Sequence, residues 1–196
     1  MEQSPNPAAV TGDAWLDDYY ARYVKVLSNR SAYRPIVQFY ELALAVRRRN
    51  GKMMFAGNGA SASIASHGAV DFTKQGRVTS RDFNEPNLIT CFSNDFGYDK
   101  WIAKAVEFYA APGDALVLIS VSGKSPSVVN AAHAAKERGL PVVGFTGSAP
   151  DNPLRALSDV DFWVGSRAYN VVECVHMMWM MTVVDMLVGR AEYTVS

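Results

Sequence analysis

The chain has little that would direct it to a membrane, to nucleic acid or to a disulfide-bonded fold. Only two of its 196 residues are cysteines, and neither Cys91 nor Cys174 belongs to a CxxC or Cys/His pattern. We therefore expect two reduced core thiols in a cytoplasmic protein. Nineteen basic residues balance nineteen acidic ones, so we expect no direct nucleic-acid partner and no anionic lipid surface as partner. The first residues also lack the apolar segment of a signal peptide.

One stretch near the C-terminus, residues 171–188, is strongly apolar. It carries Glu173, His176 and Asp185, which are more ionisable side chains than a membrane-spanning helix usually has. We interpret it as a helix buried inside the fold or inside an oligomer, and we expect no membrane association.

The hydrophobic pattern predicts an α/β fold in which two N-terminal helices precede a five-stranded parallel sheet flanked by helices. We predict a flexible segment over residues 1–12 and a single domain over residues 13–196 that includes the helical pair, 13–27 and 31–49. Short continuous apolar runs separated by helical stretches are typical of strands covered on both faces. The five runs are 53–56, 88–92, 115–119, 141–145 and 160–164. The helical stretches between and after them are 61–74, 98–109, 125–138, 153–157 and 169–189.

Small hydroxyl and amide side chains follow the predicted strands. They lie in four segments, residues 57–61, 93–95, 120–125 and 146–148. In open α/β sheets, ligands bind beyond the carboxyl ends of the strands, where these segments are expected.

The segment 120–125, which we call the serine loop, carries the strongest indication of a binding site. Ser120, Ser122 and Ser125 offer three hydroxyl donors, and Lys124 offers a positive charge. Pro126 fits the first position of the following helix, whose free N–H groups would face an anion. The alternative is a capped turn in which Ser125 is the helix N-cap.

Residues 57–62 also approximate G-x-G-x-x-A, the fingerprint of dinucleotide-binding folds. That interpretation needs an acidic residue at the end of the next strand. Asp82 has a plausible spacing but is expected in a polar loop before the run 88–92. An NAD(P)-binding protein remains an alternative, and we expect no nucleotide cofactor.

The four segments occur in an order and spacing that resemble the phosphoheptose isomerase family of SIS (sugar isomerase) domains. The resemblance covers nearly the whole chain, and it includes the continuation of the second segment through Phe96, Gly97 and Tyr98. It implies a homotetramer with sites at subunit interfaces, and an enzyme that isomerises sedoheptulose 7-phosphate for bacterial surface polysaccharide, often with zinc. Some relatives keep the fold and lack catalysis.

Residue by residue, the resemblance implies a phosphate site and a sugar site. It assigns Ser120, Ser122 and Ser125 to the phosphate and places five residues against the sugar: Asn58, Gly59, Ala60, Asn94 and Asp95. Ser61 and Val121 complete the predicted binding set. The sugar phosphate is the expected ligand.

The family's site helices carry four polar residues that correspond to His67, Asp71, Glu173 and Met181. The family has a His and a catalytic Glu where His67 and Asp71 stand, and a Gln and a His where Glu173 and Met181 stand. The predicted catalytic residues are therefore Asp71, Glu173 and His67. The same three side chains are the candidate ligands for zinc or another divalent metal.

Aldose–ketose isomerisation moves a proton between neighbouring carbons and needs a base within reach. Asp71 and Glu173 are the candidate bases, and His176 is expected near the face of Glu173. His133 is expected to be an ordinary exposed histidine. Two functions fit these residues: a phosphosugar isomerase, or a phosphosugar-binding or scaffolding protein without turnover.

Overall fold

The computed structural model describes residues 12–194, which form two compact units. The first unit ends at Arg30 and the second begins at Ser31. The predicted flexible segment, residues 1–12, lies outside the described residues except for Gly12.

The first unit consists mainly of helix α1 (Asp13–Leu27), as predicted, and none of its residues is buried. Trp15 and Tyr19 stack with ring centroids 5.1 Å apart, and the hydroxyls of Tyr19 and Tyr23 are 3.0 Å apart. Trp15, Tyr20 and Val24 are exposed, so this helix presents an apolar aromatic surface.

The second unit contains a five-stranded, all-parallel sheet with strand order β2-β1-β3-β4-β5, which confirms the predicted fold class. The strands are β1 (Met53–Gly57), β2 (Ser80–Asp82), β3 (Ala115–Ser120), β4 (Val142–Thr146) and β5 (Val160–Trp163). The helices are α2 (Tyr33–Arg48), α3 (Ala60–Lys74), α4 (Pro86–Phe96), α5 (Trp101–Tyr109), α6 (Pro126–Glu137), α7 (Pro153–Leu157) and α8 (Tyr169–Val188).

The predicted strand over residues 88–92 is wrong, because these residues lie inside α4. Pro86 occupies the first turn, and the Glu85 side chain caps the helix by accepting a hydrogen bond of 2.8 Å from the backbone N–H of Leu88. Backbone hydrogen bonds from Asn87 and Leu88 lower the pKa of the Glu85 carboxyl. The second strand is instead Ser80–Asp82, a short polar edge strand beside β1.

Helices cover both faces of the sheet. On one face α2, α3 and α8 pack around stacked aromatic rings, including Phe145 and Phe162, whose centroids are 4.2 Å apart. On the other face α5 and α6 cover Leu116 and Leu118. The central strands are buried throughout, as their apolar sequences predict.

One described helix, α8, is long and apolar enough by composition to cross a membrane, with a mean hydropathy of 1.6. It packs against α2 and α3 instead, and Val171, Val175 and Val183 are among its buried residues. A core helix of a soluble protein passes the same test of length and composition.

Both cysteines differ from the expectation, because Cys91 and Cys174 are free but exposed. Each lies on the solvent side of an otherwise apolar helical sequence, Cys91 on α4 and Cys174 on α8. Apolar neighbours in the sequence therefore did not predict whether either thiol lies on the buried or the exposed face of its helix.

The two strands β1 and β3 are neighbours, but the helices that follow them lie on opposite faces of the sheet. The chain leaves β1 into α3 on one side and leaves β3 into α6 on the other. Such a divergence opens a crevice at the carboxyl ends of the two strands.

Candidate functional site

A small cleft of about 110 Å³ occupies this crevice between the ends of β1 and β3. We call it the switch-point cleft. The side chains and backbone that line it belong to Asn58, Ser61, Ile119, Ser120, Val121, Ser122, Ser125, Tyr169 and Glu173. The structure thus brings together two of the four predicted segments, the loop after β1 and the serine loop, with the beginning of α8.

The serine loop places its hydroxyls at the cleft without using them to cap α6. Ser125 is the N-cap residue, yet its side chain makes no capping hydrogen bond. Its Oγ instead lies 3.4 Å from Oγ of Ser120, which donates to it. Ser122 Oγ accepts a hydrogen bond of 3.2 Å from the backbone N–H of Lys124. The capped-turn alternative therefore does not describe Ser125.

Gly123 allows the serine loop to pack closely against the segment before α7. Its φ of 62° is one that side-chain-bearing residues rarely adopt, and a Cβ there would overlap the buried side chain of Asn152. The backbone N–H of Leu154 donates to the carbonyl oxygen of Gly123 over 3.2 Å. The loop is thus braced from outside the cleft.

The loop after β1, residues 57–61, is held by a similar close approach. A Cβ at Gly57 would overlap the backbone of Ser61, and Gly59 has φ of 59° at the start of α3. Asn58 is anchored at both ends of its amide. Its Nδ2 donates to Ser127 Oγ over 3.0 Å, and its Oδ1 accepts from the Tyr98 hydroxyl over 3.1 Å.

Tyr169 and Glu173 close the cleft from α8, and Tyr169 was not predicted. The two residues are one helical turn apart and therefore share a face. The four-residue spacing from Glu173 was the feature of the sequence that could have placed Tyr169 at the site. Tyr98 and Ser127 were also given no role, although Tyr98 stands inside the motif that carries the family resemblance.

Asn94 and Asp95 do not line the cleft. They lie exposed in the last turn of α4 rather than in a loop after a strand. Asn94 Nδ2 donates to Asp95 Oδ1 over 2.9 Å. Gly59 and Ala60 belong to the beginning of α3 and are also outside the lining set. The roles of these four residues toward a sugar remain predictions.

His67 and Asp71 form a pair on α3, with Nε2 and Oδ2 3.3 Å apart, as their spacing predicts. Neither lines the switch-point cleft. Asp71 is ten residues beyond Ser61 on the same helix, which corresponds to about 15 Å along the axis. Its neighbours lie at the other end of α8: burial and the charges of Asp185 and Asp71 raise the pKa of Tyr193.

The packing of α3 against α8 explains this separation. Gly68 lies against Met180, and Gly76 lies against Leu187, so the two helices run in the same direction. Glu173 at the beginning of α8 therefore faces the beginning of α3, where Ser61 lies, and not the second half that carries Asp71.

These positions do not provide a ready metal site within one chain. Among residues 12–194, no group of three or more His, Cys, Asp or Glu side chains is arranged to hold a metal ion. A catalytic zinc usually takes three protein ligands, whereas His67 and Asp71 supply two. The residues present therefore do not fit the family's metal in a single chain, and zinc or another divalent ion stays a prediction from the resemblance.

The other two histidines lie away from the cleft. His176 does not join the face of Glu173, because its ring is fully buried and its Nε2 lies 2.9 Å from the carbonyl oxygen of Thr146. Burial lowers the pKa of His176 to about 4. His133 is exposed on α6, as predicted.

Asp82 lies at a strand end and not in the predicted loop. It ends β2, directly beside β1, which is where dinucleotide-binding folds carry their ribose-binding acid. Its carboxylate accepts a hydrogen bond from the Ser66 hydroxyl of α3. The absence of a nucleotide cofactor stays a prediction.

Comparison with known proteins adds a family to this geometry. The sequence matches the SIS domain over residues 18–147. It is 33% identical over 139 residues to a phosphoheptose isomerase of Fusobacterium nucleatum, a match that spans 68% of this chain and 71% of that protein. It is 34% identical over 153 residues to a phosphoheptose isomerase of Nitratidesulfovibrio vulgaris, across 75% of this chain and 73% of that protein.

Solved structures show the same similarity in three dimensions. The fold is similar to that of the phosphoheptose isomerase from Neisseria gonorrhoeae, with a TM-score of 0.79 and 28% sequence identity. The superposition covers 88% of this chain and 97% of that one.

Proposed function

The chain belongs to the SIS domain family, and we propose that it is a phosphosugar aldose–ketose isomerase that resembles sedoheptulose 7-phosphate isomerases. The observation that carries this proposal is the switch-point cleft itself, in which four serines and one carboxylate line the same small volume. A pathway that supplies bacterial surface polysaccharide precursors is the proposed setting.

The serine loop supports binding of the phosphate group. Hydroxyls of Ser120, Ser122 and Ser125 supply donors. The beginning of α6 favours a negative charge, and the backbone N–H of Ser127 there has no acceptor among the described residues. A phosphate held there would direct the sugar out of the cleft past Asn58 and Tyr169.

Glu173 is the candidate base on the same chain. In the isomerisation, a base takes a proton from the carbon next to the carbonyl while the carbonyl oxygen gains a proton, which gives an enediol. The base then returns its proton to the former carbonyl carbon while the other enediol hydroxyl loses its proton and becomes the new carbonyl. The carboxylate of Glu173 lines the cleft and can hold that proton between the two transfers.

His67 and Asp71 would act on a substrate in the cleft of a neighbouring subunit. The family resemblance implies sites at subunit interfaces, and the pair is partly exposed on α3, where a second copy can reach it. We therefore propose a homotetramer. Cys174 and Met178 leave one side of α8 exposed, which gives a second copy an apolar surface to cover. A cytoplasmic location is part of the same proposal.

A non-catalytic phosphosugar-binding or scaffolding protein is the second candidate. Met181 stands where the family has a histidine, and a thioether cannot transfer a proton. Neither Asp71 nor His67 lines the switch-point cleft of its own chain. A protein that retains the phosphate site but has lost catalysis would lack proton-transfer residues beside the cleft in this way.

The two candidates are separated by measuring turnover and binding with the same compounds. A panel of ketose and aldose phosphates, which includes sedoheptulose 7-phosphate, is tested in an isomerisation assay and by thermal shift. NAD⁺ and NADP⁺ join the thermal-shift panel as a check on the dinucleotide alternative. We expect a stabilising shift and turnover with at least one ketose phosphate. Stabilisation without turnover would favour the binding protein, and a shift with NAD(P) alone would overturn both.

A further inference from the structure

We propose that Tyr98 is a positioning residue that fixes the side-chain amide of Asn58 for recognition of the sugar, an inference that rests on the proposed function. Tyr98 does not line the switch-point cleft, whereas Asn58 does. Their hydrogen bond is the only side-chain hydrogen bond in the described part of the chain that joins the turn 97–100 to the loop 57–61.

The side-chain amide of Asn58 has hydrogen-bonding capacity beyond its two observed bonds. An Asn side chain offers two N–H donors and an oxygen with two acceptor sites. At Asn58, one donor bonds to Ser127 Oγ over 3.0 Å, and one acceptor site receives the Tyr98 hydroxyl over 3.1 Å. One donor and one acceptor site therefore remain for a ligand in the cleft.

The two bonds hold the amide group in place between two hydroxyls, one on each side. Ser127 is buried, whereas Tyr98 is 59% exposed. Without the Tyr98 hydroxyl, the oxygen end of the amide loses its partner and only Ser127 restrains the group.

The turn that carries Tyr98 is held independently of Asn58. Gly97 has φ of 88°, which a residue with a side chain rarely adopts, and it precedes Tyr98 directly. Asn130 of α6 donates to the carbonyl oxygen of Asp99 over 2.8 Å. Beneath the turn, the buried ring of Trp101 lies 6.5 Å from the ring of Tyr98. The hydroxyl therefore reaches Asn58 from a fixed support.

Loss of this support should weaken binding of a sugar whose hydroxyl contacts Asn58, whereas binding of the phosphate group should not change. No hydrogen bond within residues 12–194 joins Tyr98 to the serine loop, and inorganic phosphate carries no sugar hydroxyls. Loss of one neutral hydrogen bond corresponds to a change of roughly three- to tenfold in affinity. We expect Tyr98→Phe to weaken the sugar phosphate by that factor and to leave inorganic phosphate unchanged.

The test measures dissociation constants of sedoheptulose 7-phosphate and of inorganic phosphate by isothermal titration calorimetry. Tyr109→Phe is the matched control, since Tyr109 ends α5, the helix that follows the turn, and stacks on Arg81, and its hydroxyl has no hydrogen bond within residues 12–194. An unchanged sugar-phosphate constant in Tyr98→Phe would overturn the role of Tyr98 and leave the proposed function standing. A parent protein that binds neither ligand would overturn the proposed function, and this inference with it.

A double-mutant cycle with Asn58→Ala separates positioning from general loosening of the fold. If Tyr98 acts through Asn58, then Tyr98→Phe has no further effect on the sugar-phosphate constant once Asn58 is alanine. Equal losses in both backgrounds would show that Tyr98 acts independently, which contradicts the proposal. Thermal midpoints of all four proteins are recorded, and a loss that extends to inorganic phosphate would also count against it.

Discussion

Nε2 of His176 lies 2.9 Å from the carbonyl oxygen of Thr146, while Nδ1 of the same ring has no partner in the described part of the chain. The ring is buried beside Phe145, with centroids 5.6 Å apart. Burial lowers the pKa of His176 from 6.5 to about 4, although the hydrogen bond to Thr146 opposes the shift. The folded protein therefore excludes a proton that the unfolded chain binds.

This histidine makes stability depend on pH in a defined window. Its contribution is fully present above pH 6.5 and is lost as the pH falls toward 4, because the unfolded chain binds more protons there. The expected loss is about 3 kcal/mol of unfolding free energy. Urea unfolding from pH 4 to pH 7 should show a shallower dependence in His176→Gln than in the parent. His133→Gln, at an exposed position on α6, is the control; a parent-like slope in His176→Gln would refute the assignment.

The serine loop should dominate phosphate affinity. Each hydroxyl removed from a charged ligand typically costs ~1.5–3 kcal/mol. The double variant Ser120→Ala, Ser122→Ala should therefore weaken sugar-phosphate binding at least tenfold. Ser63→Ala, which alters an exposed serine on α3, serves as control. A folded double variant with the parent's dissociation constant would show that the phosphate binds elsewhere.

Glu173 can be tested by the amide that its relatives are expected to carry at this position. If Glu173 is the base, Glu173→Gln keeps the size of the side chain but cannot accept the proton, so turnover should fall at least a hundredfold. Binding of the sugar phosphate should persist. Met181→Ala should leave turnover within about twofold, because a thioether takes no part in proton transfer. Higher activity in Glu173→Gln than in the parent would remove Glu173 from the chemistry.

The exposed side of α8 should be covered in solution by other copies of the chain. We expect light scattering at micromolar concentration to give four times the chain mass of 21.4 kDa. Met178→Asp places a charge on that side, where Met178 is 45% exposed, and should yield smaller species. Glu137→Lys changes the charge at an exposed position on α6 and should keep the parent mass. A monomeric parent would refute the tetramer.

Gly123 and Gly139 allow a matched test of the bracing behind the serine loop. Both have φ near 65°, but a Cβ at Gly139 would meet open space, whereas one at Gly123 would overlap Asn152. Gly139→Ala should cost about 1 kcal/mol of backbone strain. Gly123→Ala should cost at least about 2 kcal/mol more, since the buried Asn152 must move. Equal losses of unfolding free energy in the two variants would mean that the Asn152 side chain moves aside without cost.

The sequence predicted most of the sheet because the buried strands are continuous apolar runs. It failed at α4, where the run 88–92, apolar except for Thr90, fits a strand or a buried helix equally well. The distinguishing signal was Glu85 followed by Pro86, a helix start that was overlooked. The true second strand was missed because an edge strand needs no apolar run, and Ser80–Asp82 has none.

The site was predictable where side chains follow strand ends and less so where they lie on long helices. Ser120 and Asn58 lie near the cleft because β3 and β1 end there. Asp71 could be paired with His67 from spacing, but its distance from the cleft depends on where α3 begins. Tyr169 reaches the cleft through the packing of α8, which no local pattern in the sequence specifies.

Ser125 occupies the N-cap of α6 with its hydroxyl turned to Ser120, so the helix begins without the side-chain acceptor that most helices use. A phosphate oxygen in the switch-point cleft would become that acceptor. The ligand would then accept from the N–H of Ser127, the first-turn amide of α6 without a backbone acceptor among the described residues, and that amide hydrogen should exchange with solvent more slowly in the complex. Occupancy of the cleft would thus be measurable as a slower hydrogen-exchange rate in the backbone of α6.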